Sequence, residues 1–127
     1  MGLFDGLMGN ASDIDADELQ QDMEPVLVDG ETVKLAFKVI RDKYVFTNYR
    51  LILIDIQGMT GKKREYQTIP YKSITRFSVE TSGHFDMDSE LKIWMSGLSE
   101  PMVKEFKNGE HIINVQKALA AGMFEKS

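Results

Sequence analysis

Short runs of alternating apolar and polar residues fill the middle of this 127-residue chain, and they constrain its fold more than any other feature. In the first run Val33, Leu35, Phe37 and Val39 are separated by single polar or small residues, as in a strand with one buried face. Further strand-length segments follow at 44–47, 50–57, 64–69, 74–81, 90–96 and 102–107. Seven short strands, with turn residues between most of them, predict an antiparallel barrel or orthogonal sandwich.

A helix is predicted before the strands. Ser12 is its candidate N-cap, with Asp15 three residues on as in a capping box, and acidic residues in the first turns suit the positive end of a helix dipole. Pro25 marks the stop. We therefore expect a helix from Ser12 to about Met23, within an N-terminal helical extension over residues 1–28.

A second helix is predicted after the strands. Asn108 is its candidate N-cap, and the apolar residues beyond it recur at helical spacing: Ile112, Val115, Leu119 and Met123. Such a helix would plug an open end of a barrel. The chain is therefore expected to be one mainly β domain over 1–127, with a β-barrel over 32–107 and a capping helix over 108–124.

The third strand breaks the alternation. Its residues 51–54 and Ile56 are apolar on both faces, whereas a strand at a protein surface alternates. One face belongs to the core, and the other must meet a helix of the same chain or another subunit. The oligomer interface candidates, which lie opposite the core residues of their strands, are Ile40, Ile52, Ile54, Ile56 and Trp94. Coverage by the chain's own N-terminal segment is an equally good interpretation.

Charge and cysteine content narrow the classes of function. The formal net charge is -5 and the pI is near 5.0, the opposite of the basic excess with which proteins bind nucleic acids, so no nucleic-acid partner is expected. The absence of cysteine excludes disulfides and thiolate zinc sites. Residues 1–10 lack the basic start of a signal peptide, and no apolar run approaches the ~20 residues of a membrane span. We expect a cytoplasmic protein.

Two short motifs could suggest ligand chemistry. Residues 58–62 (Gly-Met-Thr-Gly-Lys) lack the longer glycine spacing, the Ser or Thr after the lysine and the following helix of a phosphate-binding loop, so a hairpin loop is predicted. Residues 86–90 (Asp-Met-Asp-Ser-Glu) have the oxygen ligands of a calcium loop but not its length of about twelve residues or its sixth-position glycine. No catalytic residue, metal site or cofactor is expected.

Three consecutive basic residues, Lys62, Lys63 and Arg64, lie at the end of that hairpin loop. One interpretation is a loop whose charges are simply solvated. The other is contact with an anionic lipid or an acidic partner. The second interpretation gives the alternative function, a peripheral module that binds anionic membranes.

Residues along nearly the whole chain match the pattern of a known family. They are Met1 to Leu7, Gly9 to Ser12, Gly30-Glu31, Arg41-Asp42, Phe46 to Asn48, Arg50 to Ile52, Gly61 to Lys63, Ile69 to Tyr71, Ile74, Gly83 to Asp86, Asp88 and Leu91. With these residues the sequence resembles the bacterial pleckstrin-homology-like (PH-like) family. The match is specific for the family and carries no catalytic motif.

The resemblance implies a PH-like seven-stranded fold, a cyclic homo-oligomeric ring, expected to be a pentamer, and a polar surface that binds a protein partner without catalysis. On the same basis that surface is expected to comprise Arg41, Asp42, Thr47, Asn48, Arg50, Tyr71 and Lys72. The interpretation that Thr47, Asn48 and Arg50 only stabilise a turn stays open.

Overall fold

A computed structural model describes residues 14–125 of the protein. Its elements are α1 (Ala16–Asp22), β1 (Val33–Val39), β2 (Asp42–Thr47), β3 (Arg50–Gln57), β4 (Lys63–Pro70), β5 (Ile74–Thr81), β6 (Ser89–Met95), β7 (Met102–Phe106) and α2 (Ile112–Phe124). Short 3-10 turns lie at Tyr71–Ser73 and Lys107–Gly109. The strands form two antiparallel sheets, ordered β1-β2-β3-β4 and β5-β6-β7. The predicted mainly β fold is confirmed as a sandwich; the two sheets are not joined into a closed barrel.

The inward residues of both sheets form the main core with α2. Phe37, Phe46, Leu91, Ile93 and Phe106 are among the fully buried side chains of this cluster. Alternation along each strand directs these residues inward, and burial of each large apolar side chain contributes roughly 1.5–3 kcal/mol. The helix α2 adds a buried stripe at spacings of three and four, formed by Ile112, Val115, Ala118 and Leu119. The predicted capping role of this helix is therefore confirmed.

A second apolar cluster lies on the outer face of the four-stranded sheet. Leu19 of α1 and Met23, the residue that follows the helix, pack there on Ala36, Val45 and Ile52. The apolar outer face of β3 is thus covered within the chain by its own N-terminal helix.

Both helix starts differ from the predictions. The carboxylate of Asp15 accepts the backbone N–H groups of Asp17 and Glu18 at 2.9 and 3.3 Å, so Asp15 is itself the N-cap and α1 begins at Ala16. The predicted cap, Ser12, lies outside the described residues.

The second predicted cap, Asn108, is wrong. It lies in the 3-10 turn with a φ of 56°, a left-handed conformation that asparagine tolerates better than most residues, and α2 begins four residues later at Ile112. The N–H of Asn108 donates to the Asp88 carboxylate at 2.8 Å. A partner twenty residues away in sequence therefore fixes this turn.

Candidate functional site

A buried ion pair holds the corner between β2 and β3. Nε and Nη2 of Arg50 donate to the two carboxylate oxygens of Glu31 at 2.8 and 3.0 Å, the two-pronged geometry of strong arginine–carboxylate pairs. The Thr47 hydroxyl donates to the same carboxylate at 2.7 Å and accepts the backbone N–H groups of Tyr49 and Arg50, each at 3.0 Å. The side chain of Glu31 has no exposed surface, and a charge buried in this way needs such partners.

The same pair ties the segment after α1 to the sheet. Nη2 of Arg50 also donates to the carbonyl of Val26 at 2.9 Å, and Nη1 donates to the Thr68 hydroxyl at 2.8 Å. The backbone N–H of Val28 donates to Glu31 at 3.1 Å. Arg50 therefore fastens the chain that leaves α1 across β3 and β4.

The carboxyl group of Glu31 stays ionised in this setting. Burial alone would raise its pKa, but hydrogen bonds from Arg50, Thr47 and the Val28 backbone, together with the arginine charge, outweigh burial and hold the pKa below the usual glutamate range. Thr47 and Arg50 thus direct their polar groups into the chain, which agrees with the turn-stabilising interpretation.

A groove of about 430 Å³ opens beside this corner. It lies between the β2–β3 corner, the turn after β4 and the end of α2. Its lining residues are Asn48, Tyr49, Pro70, Tyr71, Lys72, Gly122, Met123 and Glu125. Three residues of the expected partner surface, Asn48, Tyr71 and Lys72, come together here.

Hydrogen bonds fix two walls of the groove. The hydroxyl of Tyr71 donates to the carbonyl of Thr47 at 2.7 Å, and burial raises the pKa of Tyr71 well above its usual range, so the phenol keeps that proton. The Asn48 amide donates to the carbonyl of Gly30 at 3.0 Å and accepts the N–H of Thr32 at 2.8 Å. These walls are in place before any ligand binds.

Close packing with α2 completes the groove. A Cβ atom at Gly122 would lie 2.3 Å from the Tyr71 ring, so only glycine lets the helix approach this closely. The ammonium group of Lys72 is exposed at the rim. The groove therefore combines a rigid aromatic wall with an exposed cation.

The expected partner surface is split by the structure. Arg41 and Asp42 lie at the other end of β2, roughly 17 Å from Thr47 at the rise of a strand. The Asp42 carboxylate accepts the N–H of Ile56 at 3.0 Å, and Arg41 donates to the carbonyl of Gly58 at 2.7 Å. These two residues join neighbouring hairpins and do not reach the groove.

We call that end of the sheet the basic tip, comprising Arg41, Lys62, Lys63 and Arg64 with the apolar Ile40 and Met59. Ile40 is 62% exposed and has a φ of 60°, an unusual conformation for a β-branched residue. Met59 is fully exposed at the head of the β3–β4 loop. The basic tip thus combines two apolar side chains with four cations.

A cleft of opposite charge lies on the three-stranded sheet. It has a volume of about 270 Å³, and we call it the acidic cleft; its lining residues are Glu80, Thr81, Ser82, Asp88, Ser89, Glu90 and Glu105. The strand register places Glu80 opposite Glu90 and Glu90 opposite Glu105, so three carboxylates stand side by side on one face. The sequence predictions missed this row because it depends on pairing between distant segments.

The remaining interface candidates lie in different settings. Ile52 and Ile54 are buried under α1, and Ile56 packs at the margin of the same cluster. Trp94 is half-buried on the outer face of β6, where the guanidinium carbon of Arg76 lies 4.1 Å from the ring centroid. Burial of Ile52 and Ile54 within the chain therefore needs no second subunit.

The described residues contain no group of three or more His, Cys, Asp or Glu side chains placed to hold a metal ion. Over the same residues, 14–125, no helix is long and apolar enough to cross a membrane.

Comparison with known proteins supports the resemblance. A family model described as "Bacterial PH domain" matches residues 2–123. The Bacillus subtilis (strain 168) protein YjqA, described as uncharacterized, is 58% identical over 122 residues, which are 95% of this chain and 98% of YjqA.

Solved structures agree with this match. A pleckstrin homology domain from Shewanella amazonensis SB2B has a TM-score of 0.84 and 53% identity, over 97% of this chain and 99% of that one. A DUF1696 family protein with a pleckstrin-homology domain from Shewanella loihica PV-4 has a TM-score of 0.76 and 52% identity, over 89% of this chain and 97% of that one.

Proposed function

Because this chain belongs to the bacterial PH domain family, we propose that it is a non-enzymatic binding module whose copies form a cyclic ring, a pentamer, and present a groove to a protein partner. The observation that carries the proposal is the convergence of Asn48, Tyr71 and Lys72 on one preformed groove. A site that is rigid before binding loses less entropy when a ligand binds.

The residues that line the groove support a particular chemistry for the partner segment. Tyr49, Tyr71 and Met123 offer an apolar wall, and aromatic side chains are enriched where proteins bind one another. Lys72 has no ion pair within residues 14–125. The proposed ligand is therefore a peptide segment with an apolar side chain next to a carboxylate.

Exposed sheet edges support assembly. Seven of the eight residues of β4 are not buried, and β4 and β5 each leave one edge without a neighbouring strand in the described sheets. Natural proteins avoid leaving a long strand edge open to solvent. Head-to-tail contacts between two different patches are what a closed ring requires.

The absence of catalysis is part of the proposal. Within residues 14–125 the pKa shifts of Glu31, Tyr44 and Tyr71 accompany burial and internal contacts, and those of Tyr44 and Tyr71 are upward, which keeps both phenols protonated. The Thr47 hydroxyl, which donates to Glu31, is held in the turn by the backbone N–H groups of Tyr49 and Arg50. These settings suit structural roles better than acid–base chemistry.

The ring is tested by native mass spectrometry of the purified full chain at micromolar concentration. A single closed oligomer of several subunits, five for the pentamer, is expected. A monomer would contradict the assembly and leave the groove as the only part of the proposal to pursue.

The groove is tested by affinity capture from cell extract with the wild-type chain, the Lys72→Glu variant and the Tyr49→Ala variant. A protein retained by the wild type and lost with both variants is then purified and titrated directly, with an expected loss of at least about tenfold in affinity for Lys72→Glu. Lys117→Glu, which makes the same charge change on the exposed side of α2, is the matched control. Equal binding by all four proteins would exclude the groove.

A second candidate function is peripheral binding to anionic lipid. Lys62, Lys63 and Arg64 are exposed and have no ion pair in the described part of the chain, and Met59 of the preceding loop is fully exposed. Flotation with anionic vesicles at low and moderate salt tests it, because such binding weakens with ionic strength. The absence of salt-sensitive flotation would remove this candidate.

A further inference from the structure

The basic tip and the acidic cleft are complementary in charge and in apolar content. The tip combines four cations with exposed Ile40 and Met59. The loop that borders the cleft carries two exposed apolar side chains of its own, Phe85 and Met87. Two patches with matched apolar groups and opposite charge are suited to each other.

The acidic cleft holds more negative charge than its own lysines neutralise. Lys92 lies 3.9 Å from Glu80 and 3.8 Å from Glu90, and Lys107 lies 3.2 Å from Glu105. These pairs are partly or fully exposed, so they contribute little stability. With Asp88 also lining the cleft, four carboxylates face two ammonium groups.

The carboxylate row is unfavourable for the isolated chain. Like charges directly opposite on neighbouring strands repel each other, and Glu90 has a glutamate opposite it on both sides. A cation from outside the chain would relieve this repulsion. With a volume of about 270 Å³ the cleft has room for a lysine or arginine side chain, which the basic tip supplies.

We propose that the basic tip of one copy docks into the acidic cleft of the next copy. This inference rests on the proposed ring and names its two contacting patches. The contact is heterologous, because tip and cleft are different surfaces, and such contacts generate rings when the rotation closes. Arg41 strengthens the tip by joining the β1–β2 turn to the β3–β4 loop through the Gly58 carbonyl.

A flat anionic membrane fits the tip less well. Asp42, Asp55 and Glu65 lie at the same end of the sheet as Lys62 and Lys63. An anionic surface that approached the tip would also meet these carboxylates, whereas a cleft of about 270 Å³ has room for individual side chains. The charge distribution therefore favours a second copy of the chain.

Reciprocal charge reversal tests the contact in the full chain. The tip-reversed variant is Lys62→Glu with Lys63→Glu, the cleft-reversed variant is Glu80→Lys with Glu105→Lys, and a third protein carries all four changes. Lys34→Glu with Lys117→Glu is the matched control, since Lys34 lies at the far end of β1 from the tip, roughly 20 Å away at the rise of a strand.

Native mass spectrometry and light scattering on dilution measure the assembly of each protein. Each reversed variant is expected to raise the dissociation constant roughly 10- to 100-fold by placing like charges together, and the fourfold variant is expected to recover most of the affinity. The matched control should assemble like the wild type. Two controls separate loss of contact from loss of folding. Thermal unfolding is measured for every variant, and the neutral pair Lys62→Gln with Lys63→Gln is compared with the charge-reversed pair.

Each outcome decides the inference. Unchanged assembly of both reversed variants would overturn the contact while the ring stands, and a monomeric wild type would overturn both. Weakened assembly without recovery in the fourfold variant would mean that the two patches do not touch. Flotation with anionic vesicles that is lost on tip reversal, with assembly unchanged, would assign the tip to lipid instead.

Discussion

The two sheets of the sandwich share an architecture but present opposite outer faces. On the four-stranded sheet, Ile52 and Ile54 of β3 continue the apolar pattern outward and lie under α1. On the three-stranded sheet, Glu90, Lys92 and Trp94 of β6 point outward, and the described chain places no helix over them. The pattern within each central strand thus tells whether its outer face is covered: continuous apolar residues indicate a cover, and alternation indicates an open face.

The difference extends to the ion pairs of the two sheets. Arg50 and Glu31 form a buried pair at the edge of the covered face, whereas Lys92 on the open face lies near two exposed glutamates. Buried and exposed pairs differ in energy because an unpaired buried charge has lost its hydration. Substitutions at matched positions of the two faces therefore test whether burial causes this difference.

The largest effect is expected for Arg50→Ala on the covered face. It leaves the buried carboxylate of Glu31 without its cation and releases the carbonyl of Val26, so the free energy of unfolding should fall by about 3–5 kcal/mol. Urea unfolding followed by circular dichroism measures the change. Arg50→Lys should recover only part of the loss because an ammonium group lacks the two-pronged geometry. A loss below about 1 kcal/mol, as for an exposed pair, would contradict the buried role.

The buried network around Glu31 is a part of the structure that the sequence did not predict. The seven strands, their order of appearance and the capping helix follow from local alternation and turn residues. The contacts of Glu31 with Thr47 and Arg50 join residues sixteen and nineteen positions apart, and no local pattern encodes them. The interpretation that Thr47, Asn48 and Arg50 only stabilise a turn covers the contacts of Thr47 with the backbone of Tyr49 and Arg50, but it did not include the buried carboxylate of Glu31. The sequence left two possible covers for the outer face of β3, the N-terminal segment and a second subunit. The packing of α1 on that face shows that the N-terminal segment covers it.

Truncation of the covered face is expected to have the second largest effect. Ile52→Ala removes a side chain that is 1% exposed beneath α1, which should cost about 2–5 kcal/mol through lost burial and the cavity left behind. The matched change on the open sheet is Lys92→Ala, expected to change stability by no more than about 0.5 kcal/mol. Urea unfolding of both variants measures the contrast. Equal losses would mean that the open face is covered in solution.

The pH dependence of stability should report the buried pair. The pKa of Glu31 is lower in the folded chain than in the unfolded one, so its contribution is complete above the unfolded value of about 4.3 and is lost as the pH falls through the folded pKa. Wild-type stability should therefore fall more steeply below about pH 4.5 than that of Glu31→Gln. Urea unfolding at several pH values from acid to neutral gives both slopes. Parallel slopes would show that the carboxyl is not held ionised by Arg50.

The smallest effect is expected for Arg76→Ala on the open face. Its guanidinium stacks over the half-buried Trp94 ring, an exposed cation–π contact that contributes roughly 0.5–1 kcal/mol. Urea unfolding at two protein concentrations measures it, with Ser78→Ala on the same outer face of β5 as the control. A loss above about 2 kcal/mol that grows with protein concentration would show that a second copy covers this face, because association stabilises the folded chain by mass action. The open face would then belong to the assembly, and the contrast between the two sheets would hold only for the single subunit.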